Sequence, residues 1–194
     1  MNKLFKNITR LKIIILVFTL LYILLFGISY LERANYEFIM YAGSLIIFGL
    51  LIFYLNSVYN LSGGVLIGIS LWGLLHMSGG YFRIGQGVLY EYWLLPFLRY
   101  DMFVHCFGFG FATLFSYYIL RPYLKIRNKI PLAVSVLIVF IGMGIGALNE
   151  IIEFILVLTL PKTGVGGYDN TMWDIVFNTI GAIIAVVYIN VKKK

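Results

Sequence analysis

The sequence predicts an all-α protein, a polytopic integral membrane bundle of about six transmembrane helices forming a single transmembrane domain over residues 1–194. Three observations carry that reading. Hydrophobic residues make up 61% of the chain and charged residues only 12%, a balance outside the range of soluble domains. Apolar runs of about 20 residues, the length that crosses a hydrocarbon core, recur along the chain. Lys and Arg cluster at the ends of those runs, where phospholipid headgroups lie. The net charge of +7 therefore does not indicate nucleic acid, which would call for a basic soluble face interleaved with stacking aromatics.

The first span is 11–30, preceded by Lys3, Lys6 and Arg10 and containing Lys12 near its start. A signal peptide has a shorter apolar core and a small-residue cleavage site. This run ends in Ile28-Ser29-Tyr30-Leu31, so it reads as a retained anchor. The second span is 36–55. The third, 57–76, is glycine-rich and must begin near Ser57 to reach across. The fourth is 101–120, the fifth 131–158 and the sixth 171–191. Pro131 suits a first helical turn, where its missing amide hydrogen would bond nothing. Cys106, the single cysteine, lies in an apolar run and reads as a packing residue; alone it forms no intrachain disulfide.

Orientation follows from the bases. Eleven of the fifteen Lys and Arg fall before or at the very start of the first span, in the connection holding Arg121, Lys125, Arg127 and Lys129, or at Lys192, Lys193 and Lys194. Only Arg33, Arg83, Arg99 and Lys162 fall on the other side, so the positive-inside rule puts both termini in the cytoplasm. All eight acids then belong to the outer half of the spans or to the outer loops.

Within that outer half, Glu150 and Glu153 interrupt an otherwise uncharged apolar stretch. A charge at the centre of a membrane helix costs about 2.5–3.5 kcal/mol on insertion scales, and such residues face a protein interior or a watery cavity. With a rise of about 1.5 Å per residue, Glu150 lies roughly 12–15 Å and Glu153 roughly 8–10 Å before the outer end of their helix. Asp101 and His105 share a face of the fourth helix at i,i+4 spacing, and Asp174 and Asn178 repeat that spacing in the sixth. His76 ends the third helix at a similar level. Four consecutive helices thus bring polar groups to one zone.

Simpler readings exist for most of these residues. Asp101 and Asp174 suit helix N-termini, and Thr171-x-x-Asp174 resembles a capping box. His76 fits an interfacial position beside Gly79 and Gly80, and His105 fits a hydrogen-bonded place in the bundle. Asn178 can join helices, with Gly181 allowing close backbone approach. The glutamates resist such accounts, because they approach a helix C-terminus, where the dipole disfavours acids, with no Lys or Arg in that helix to pair them. Gly142, Gly144 and Gly146 fit tight helix packing. The segment 78–98, rich in Gly, Tyr, Trp and Phe, fits an interfacial or re-entrant stretch, as an aromatic belt or as a lid over the polar zone. The loop 159–173 brings Asp169 toward the same zone.

The series His76 with Gly79-Gly80, Arg99-Tyr100-Asp101-x-x-x-His105 with Gly108-Phe109-Gly110, Asn149-Glu150-x-x-Glu153, and Tyr168-Asp169 followed by Asp174-x-x-x-Asn178-x-x-Gly181-Ala182 resembles the YjdF-like bacterial inner-membrane proteins. The final stretch is more distantly similar to the end of VanZ-like membrane proteins, which are associated with glycopeptide resistance. Here Tyr168-Asp169-Asn170-Thr171 replaces a more acidic lead-in. The resemblance implies a multi-pass protein of the bacterial cell membrane and assigns no activity.

Two functional classes fit the residues. In the first, His105, Glu150 and Glu153 form the core of a metal site and of a catalytic group, completed by Asp101, Asp174 or His76, with Arg99, Asn149, Asp169 and Asn178 in support. Imidazole mixed with carboxylates suits Zn, Mn or Fe better than an all-oxygen calcium cage, and the substrate would be a lipid or envelope component met at the outer face. In the second, Glu150 and Glu153 carry protons or cations for binding or transport. The bland third option is a polar network that only holds helices together.

Overall fold

A computed structural model describes residues 7–124 and 129–192, and Lys3, Lys6, Lys125, Arg127, Lys193 and Lys194 of the basic clusters lie outside the described residues. Six helices long and apolar enough to cross a membrane are present among the described residues. The chain divides into two compact units, Met1–Tyr92 and Trp93–Lys194.

In the first unit, α1 (Arg10–Glu32) starts at Thr9, whose hydroxyl accepts from the Lys12 amide. Its end is set by Ala34, which has a positive φ of 51°. Asn35 caps α2 (Tyr36–Tyr59) through the Phe38 amide. Asn60, at φ 48° and ψ 61°, stops α2 in the left-handed region, where Asn is tolerated better than most side chains. The third helix, α3 (Gly63–Tyr81), therefore starts at the Ser62 cap, later than the expected 57. Residues 57–59 are the last turn of α2, and α3 gains its length at the other end, past His76.

Polar contacts pin α1 to α3 across an otherwise apolar seam. Thr19 Oγ1 and Ser70 Oγ lie 2.6 Å apart, the Tyr22 hydroxyl donates to the Ser70 carbonyl at 3.0 Å, and the Tyr30 hydroxyl donates to the Met77 carbonyl at 2.5 Å. In a membrane, hydrogen bonds and close contact replace the hydrophobic drive that joins helices in water. Lys12 Nζ donates to the Asn7 carbonyl, Asn56 Oδ1 and Asn60 Oδ1 at 3.0, 2.8 and 2.9 Å, tying the start of α1 to the end of α2. A two-stranded hairpin follows α3, with β1 (Arg83–Ile84) antiparallel to β2 (Gly87–Val88). Its turn uses Gly85 at φ 62°. A 3-10 turn, Leu89–Glu91, completes the unit.

The second unit opens with another short hairpin, β3 (Trp93–Leu95) against β4 (Leu98–Arg99), which runs straight into α4 (Tyr100–Leu124). The expected interfacial segment is thus built as small hairpins, in which Trp93 and Phe97 stay 53% and 73% exposed, as suits a headgroup belt. Pro131 precedes α5 (Leu132–Thr159) as its cap residue, one position before the expected first turn. The last helix, α6 (Tyr168–Lys192), begins three residues before the expected 171. Directly after Gly167, the chain enters the helix, and the Thr171 amide already donates to the Gly167 carbonyl at 3.2 Å.

Glycines decide how closely these three helices meet. A Cβ on Gly181 would collide with the Cys106 carbonyl oxygen, and the same point lies 2.9 Å from the Gly110 nitrogen. On α5, a Cβ on Gly142 would meet Thr113 Oγ1 and Ala182, and one on Gly146 would come within 2.7 Å of Asn178 Nδ2. Gly144 does not share this role: nothing lies within 4 Å of its Cβ position. It alternates with Gly142 and Gly146 in sequence, and on a helix the i+2 position points away from the face that i and i+4 share. Beyond the glycines, Tyr117, Ile130, Ile138, Val186 and Ile189 form an apolar core. Asn190 closes that end, accepting from the Ile130 amide at 3.0 Å.

The same substitution should have opposite signs at two of these glycines. Gly181→Ala forces α4 and α6 apart and is expected to cost about 1–3 kcal/mol, whereas Gly144→Ala is expected to be neutral or stabilising by up to about 1 kcal/mol through helix propensity. Thermal unfolding in detergent followed by circular dichroism checks this, and equal shifts would contradict the packing described.

Candidate metal and acid site

Three helices of the second unit build one buried polar cluster. Asp101 lies in the first turn of α4, with His105 one turn deeper. Glu150 and Glu153 lie one turn apart on the inward face of α5. Asn170, Asp174 and Asn178 repeat at i,i+4 along one face of α6. Because α4 and α6 touch through Gly110 and Gly181, residues one to three turns earlier in each helix are brought within reach of one another. Gly146, one turn before Glu150, leaves the space that Asn178 fills.

His105 is the hub. Its Nδ1 lies 3.0 Å from Asn178 Oδ1 and 3.7 Å from Glu150 Oε1. Its Nε2 lies 3.5 Å from Asp101 Oδ1 and 3.9 Å from Asp174 Oδ1. Since an amide oxygen only accepts, Nδ1 carries a hydrogen and donates to Asn178. Nε2 then faces two carboxylates, and a lone pair there would be repelled by both. A proton or a metal ion at Nε2 removes that conflict.

Unsatisfied groups mark the same place. Both Glu150 carboxylate oxygens, Asp174 Oδ1 and Asn178 Nδ2 are buried without a hydrogen-bond partner among the described residues. Such groups ordinarily cost about 1–3 kcal/mol each, more when charged, so a cluster of them at one point calls for compensation by protons, water or a cation. Two ligand groups share the histidine: Asp101, His105 and Asp174, and His105, Glu150 and Glu153, the ligand atoms of each lying within 4.8 Å of one another.

Asn170 organises the entrance. Its Nδ2 donates to Asp174 Oδ2 at 2.6 Å and to Asp101 Oδ2 at 3.2 Å, while its Oδ1 accepts from an Arg99 terminal nitrogen at 2.9 Å. On the α5 side, Asn149 Nδ2 donates to Glu153 Oε1 at 2.8 Å.

Arg99, Asp101, His105, Asn149, Glu150, Glu153, Asp174 and Asn178 are therefore brought together as expected. The capping account of Asp174 is overturned: α6 begins at Tyr168, so Asp174 lies beyond its first turn and is 1% exposed. Asp169 is exposed in the first turn of α6 and suits the helix dipole there. His76 belongs to the first unit, where its Nδ1 and the Tyr90 hydroxyl lie 2.5 Å apart and its ring meets Tyr41 edge-on at 4.7 Å. Gly79 and Gly80 have their reason beside it, since a Cβ at either would run into the Tyr90 or Phe38 ring. Asn170 was not singled out by the sequence, although its i,i+4 step to Asp174 carries the signal.

A family model described as Predicted membrane protein (DUF2238) matches residues 14–194. The chain belongs to that family. The YjdF-like resemblance is to proteins of this family's kind, whereas the VanZ-like resemblance of the last span gains nothing from the match. No curated protein and no solved structure matches the chain. The site residues from Arg99 to Asn178 all fall inside the family match.

The hub assignment predicts non-additive stability effects. His105→Phe leaves the carboxylates without their central partner and is expected to destabilise by about 3–5 kcal/mol, as when one partner of a buried pair is removed. Adding Asp174→Asn should recover part of that loss, with a coupling of about 1–3 kcal/mol in a double-mutant cycle read by unfolding in detergent. Strict additivity would remove His105 from the hub.

Proposed function

We propose that the cluster is a divalent metal site and that the protein is a metal-dependent enzyme of the cell membrane, acting on a lipid or envelope substrate at the outer leaflet. The observation that carries this reading is the division of labour at His105. One ring nitrogen is held by Asn178 and the other is turned toward Asp101 and Asp174. Metal-binding histidines are usually oriented in this way, by a hydrogen bond from the nitrogen that does not bind metal. His105, Asp101 and Asp174 would hold the ion, and one histidine with carboxylates suits Zn, Mn or Fe. A bound ion would supply Lewis acidity and acidify a bound water. Glu150, with two unpartnered oxygens, is the general base, and Glu153, held by Asn149, tunes the charge around it.

Proton or cation transport would use the same carboxylates. It needs a continuing path, and the halves of the six spans facing the basic loops contain no Asp, Glu or His. A closed site fits that distribution better. The distribution of Lys and Arg supports a cytoplasmic position for both termini, which would turn the site toward the outer face.

Elemental analysis of the purified protein should find about one equivalent of a transition metal, lost in Asp174→Asn and His105→Ala. Asn178→Leu should keep the ligands but weaken metal affinity about 10–100-fold. A wild-type protein with no stoichiometric metal would sink the metalloenzyme reading. Orientation is checked separately: reporter fusions at either terminus should be active only with a cytoplasmic reporter, and activity of a periplasmic reporter there would reverse the placement.

A further inference from the structure

Arg99 stands at the edge of the metal cluster and is not explained by it. The guanidinium is half-buried, and its Nε is buried with no hydrogen-bond partner. Among the described residues it makes no direct ion pair with Asp101 or Asp174, because the Asn170 amide stands between, accepting from Arg99 and donating to both aspartates. An arginine serving only to neutralise those acids would pair with them bidentately. One serving only to touch bulk headgroups would extend its charge outward. Arg99 does neither. Its Nε is a buried donor whose acceptor is missing among the described residues, and an unmet donor of that kind costs about 1–3 kcal/mol.

Its setting narrows what the acceptor is. Arg99 ends β4 and immediately precedes α4, at the membrane-interface end of that helix, and its hairpin partner is Trp93. The guanidinium carbon lies 5.8 Å from the Trp93 ring centroid. The hairpin carrying both also exposes Leu94, Leu95 and Phe97, at 41%, 48% and 73%. A fixed guanidinium edge beside an exposed apolar strip matches an amphiphile with an anionic head. The planar N–H fork fits phosphate oxygens, and phosphate is the anion that membranes concentrate at this depth.

We propose that the site receives a phosphate-bearing amphiphile, whose phosphate group is bound by Arg99 and whose apolar part lies along the Trp93–Phe97 hairpin. The inference rests on the metal reading above, which supplies a reason for an anion to approach so many carboxylates. With the carboxylates compensated by a bound cation, the phosphate would meet positive charge from the ion as well as from Arg99. Asn170 joins Arg99 to Asp101 and Asp174 and so positions the guanidinium relative to them.

The test uses the full chain in detergent, with metal content measured on every sample. Binding of dioctanoyl phosphatidic acid, inorganic phosphate and dioctanoylglycerol is followed by calorimetry. Saturable binding of the phosphatidic acid is expected, with inorganic phosphate weaker and dioctanoylglycerol not binding. Arg99→Gln should weaken phosphatidic acid binding about tenfold or more at unchanged metal content, Arg99→Lys should fall between, and stripping the metal should weaken binding further. Unchanged affinity in Arg99→Gln overturns the proposal. If that variant does not fold, Arg99→Lys decides, and wild-type affinity there overturns it equally. Equal binding of dioctanoylglycerol removes the phosphate, and Arg99-dependent binding of inorganic phosphate at equal strength removes the amphiphile. Arg99-dependent binding of phosphatidic acid by a protein that holds no metal would uphold this inference while the metal reading fails.

Discussion

The backbone contact between α4 and α6 at Gly110, Gly181 and the Cys106 carbonyl is the constraint on which the rest of the second unit depends. Lipid tails are as apolar as leucine, so the bilayer gives little reason for two apolar helices to prefer each other over lipid. Close approach of backbones provides one through dispersion and fixes the register of the pair. Once Gly181 lies against Cys106, the residue just before Cys106 and the one a turn before Gly181 are neighbours. Those residues are His105 and Asn178, which share the hydrogen bond at 3.0 Å. The packing motif and the polar site are one arrangement seen at two heights.

Charge sets the second condition. Four carboxylates converge on one imidazole, with the Arg99 guanidinium reaching the two aspartates through the Asn170 amide. In a low-dielectric interior the mutual repulsion of such a group is far larger than in water, and it requires positive compensation from protons or a cation. The helices do not relieve the repulsion by letting the acids swing outward. Gly146 draws Asn178 in, Asn149 ties back Glu153, and Asn170 clamps both aspartates. Three asparagines thus hold acids and histidine in place without adding charge, a suitable use of a neutral side chain where every further charge would need its own partner.

Much of this was legible in the sequence. The six spans follow from hydropathy and length, and Glu150 and Glu153 stood out because nothing in α5 could pair with them. Asp101 with His105, and Asp174 with Asn178, followed from the helical period. What stayed hidden turned on helix boundaries. A start of α6 at 171 makes Asp174 look like part of a cap and leaves Asn170 in a loop, whereas three residues of extra helix put Asn170 on the face that Asp174 and Asn178 share. The third helix was expected too early because Asn60 ends α2 by a left-handed backbone angle that composition does not reveal. Gly144 was grouped with Gly142 and Gly146, although its i+2 spacing already set it on another face. The partners of His76 required Tyr90, which comes from beyond a hairpin whose path hydropathy does not trace.

Lys12 carries a further implication. It belongs to the basic group that precedes the apolar core of the first helix, yet in the folded protein its ammonium is surrounded by three oxygens, two of them supplied by Asn56 and Asn60 at the far end of α2. Those acceptors become available only once the chain has crossed and returned. The residue thus serves as a latch on the returned helix. Donor and acceptors belong to one helical pair, so the clasp forms only when α2 has returned to the side on which α1 began, which couples the return of the second helix to the stability of the finished unit.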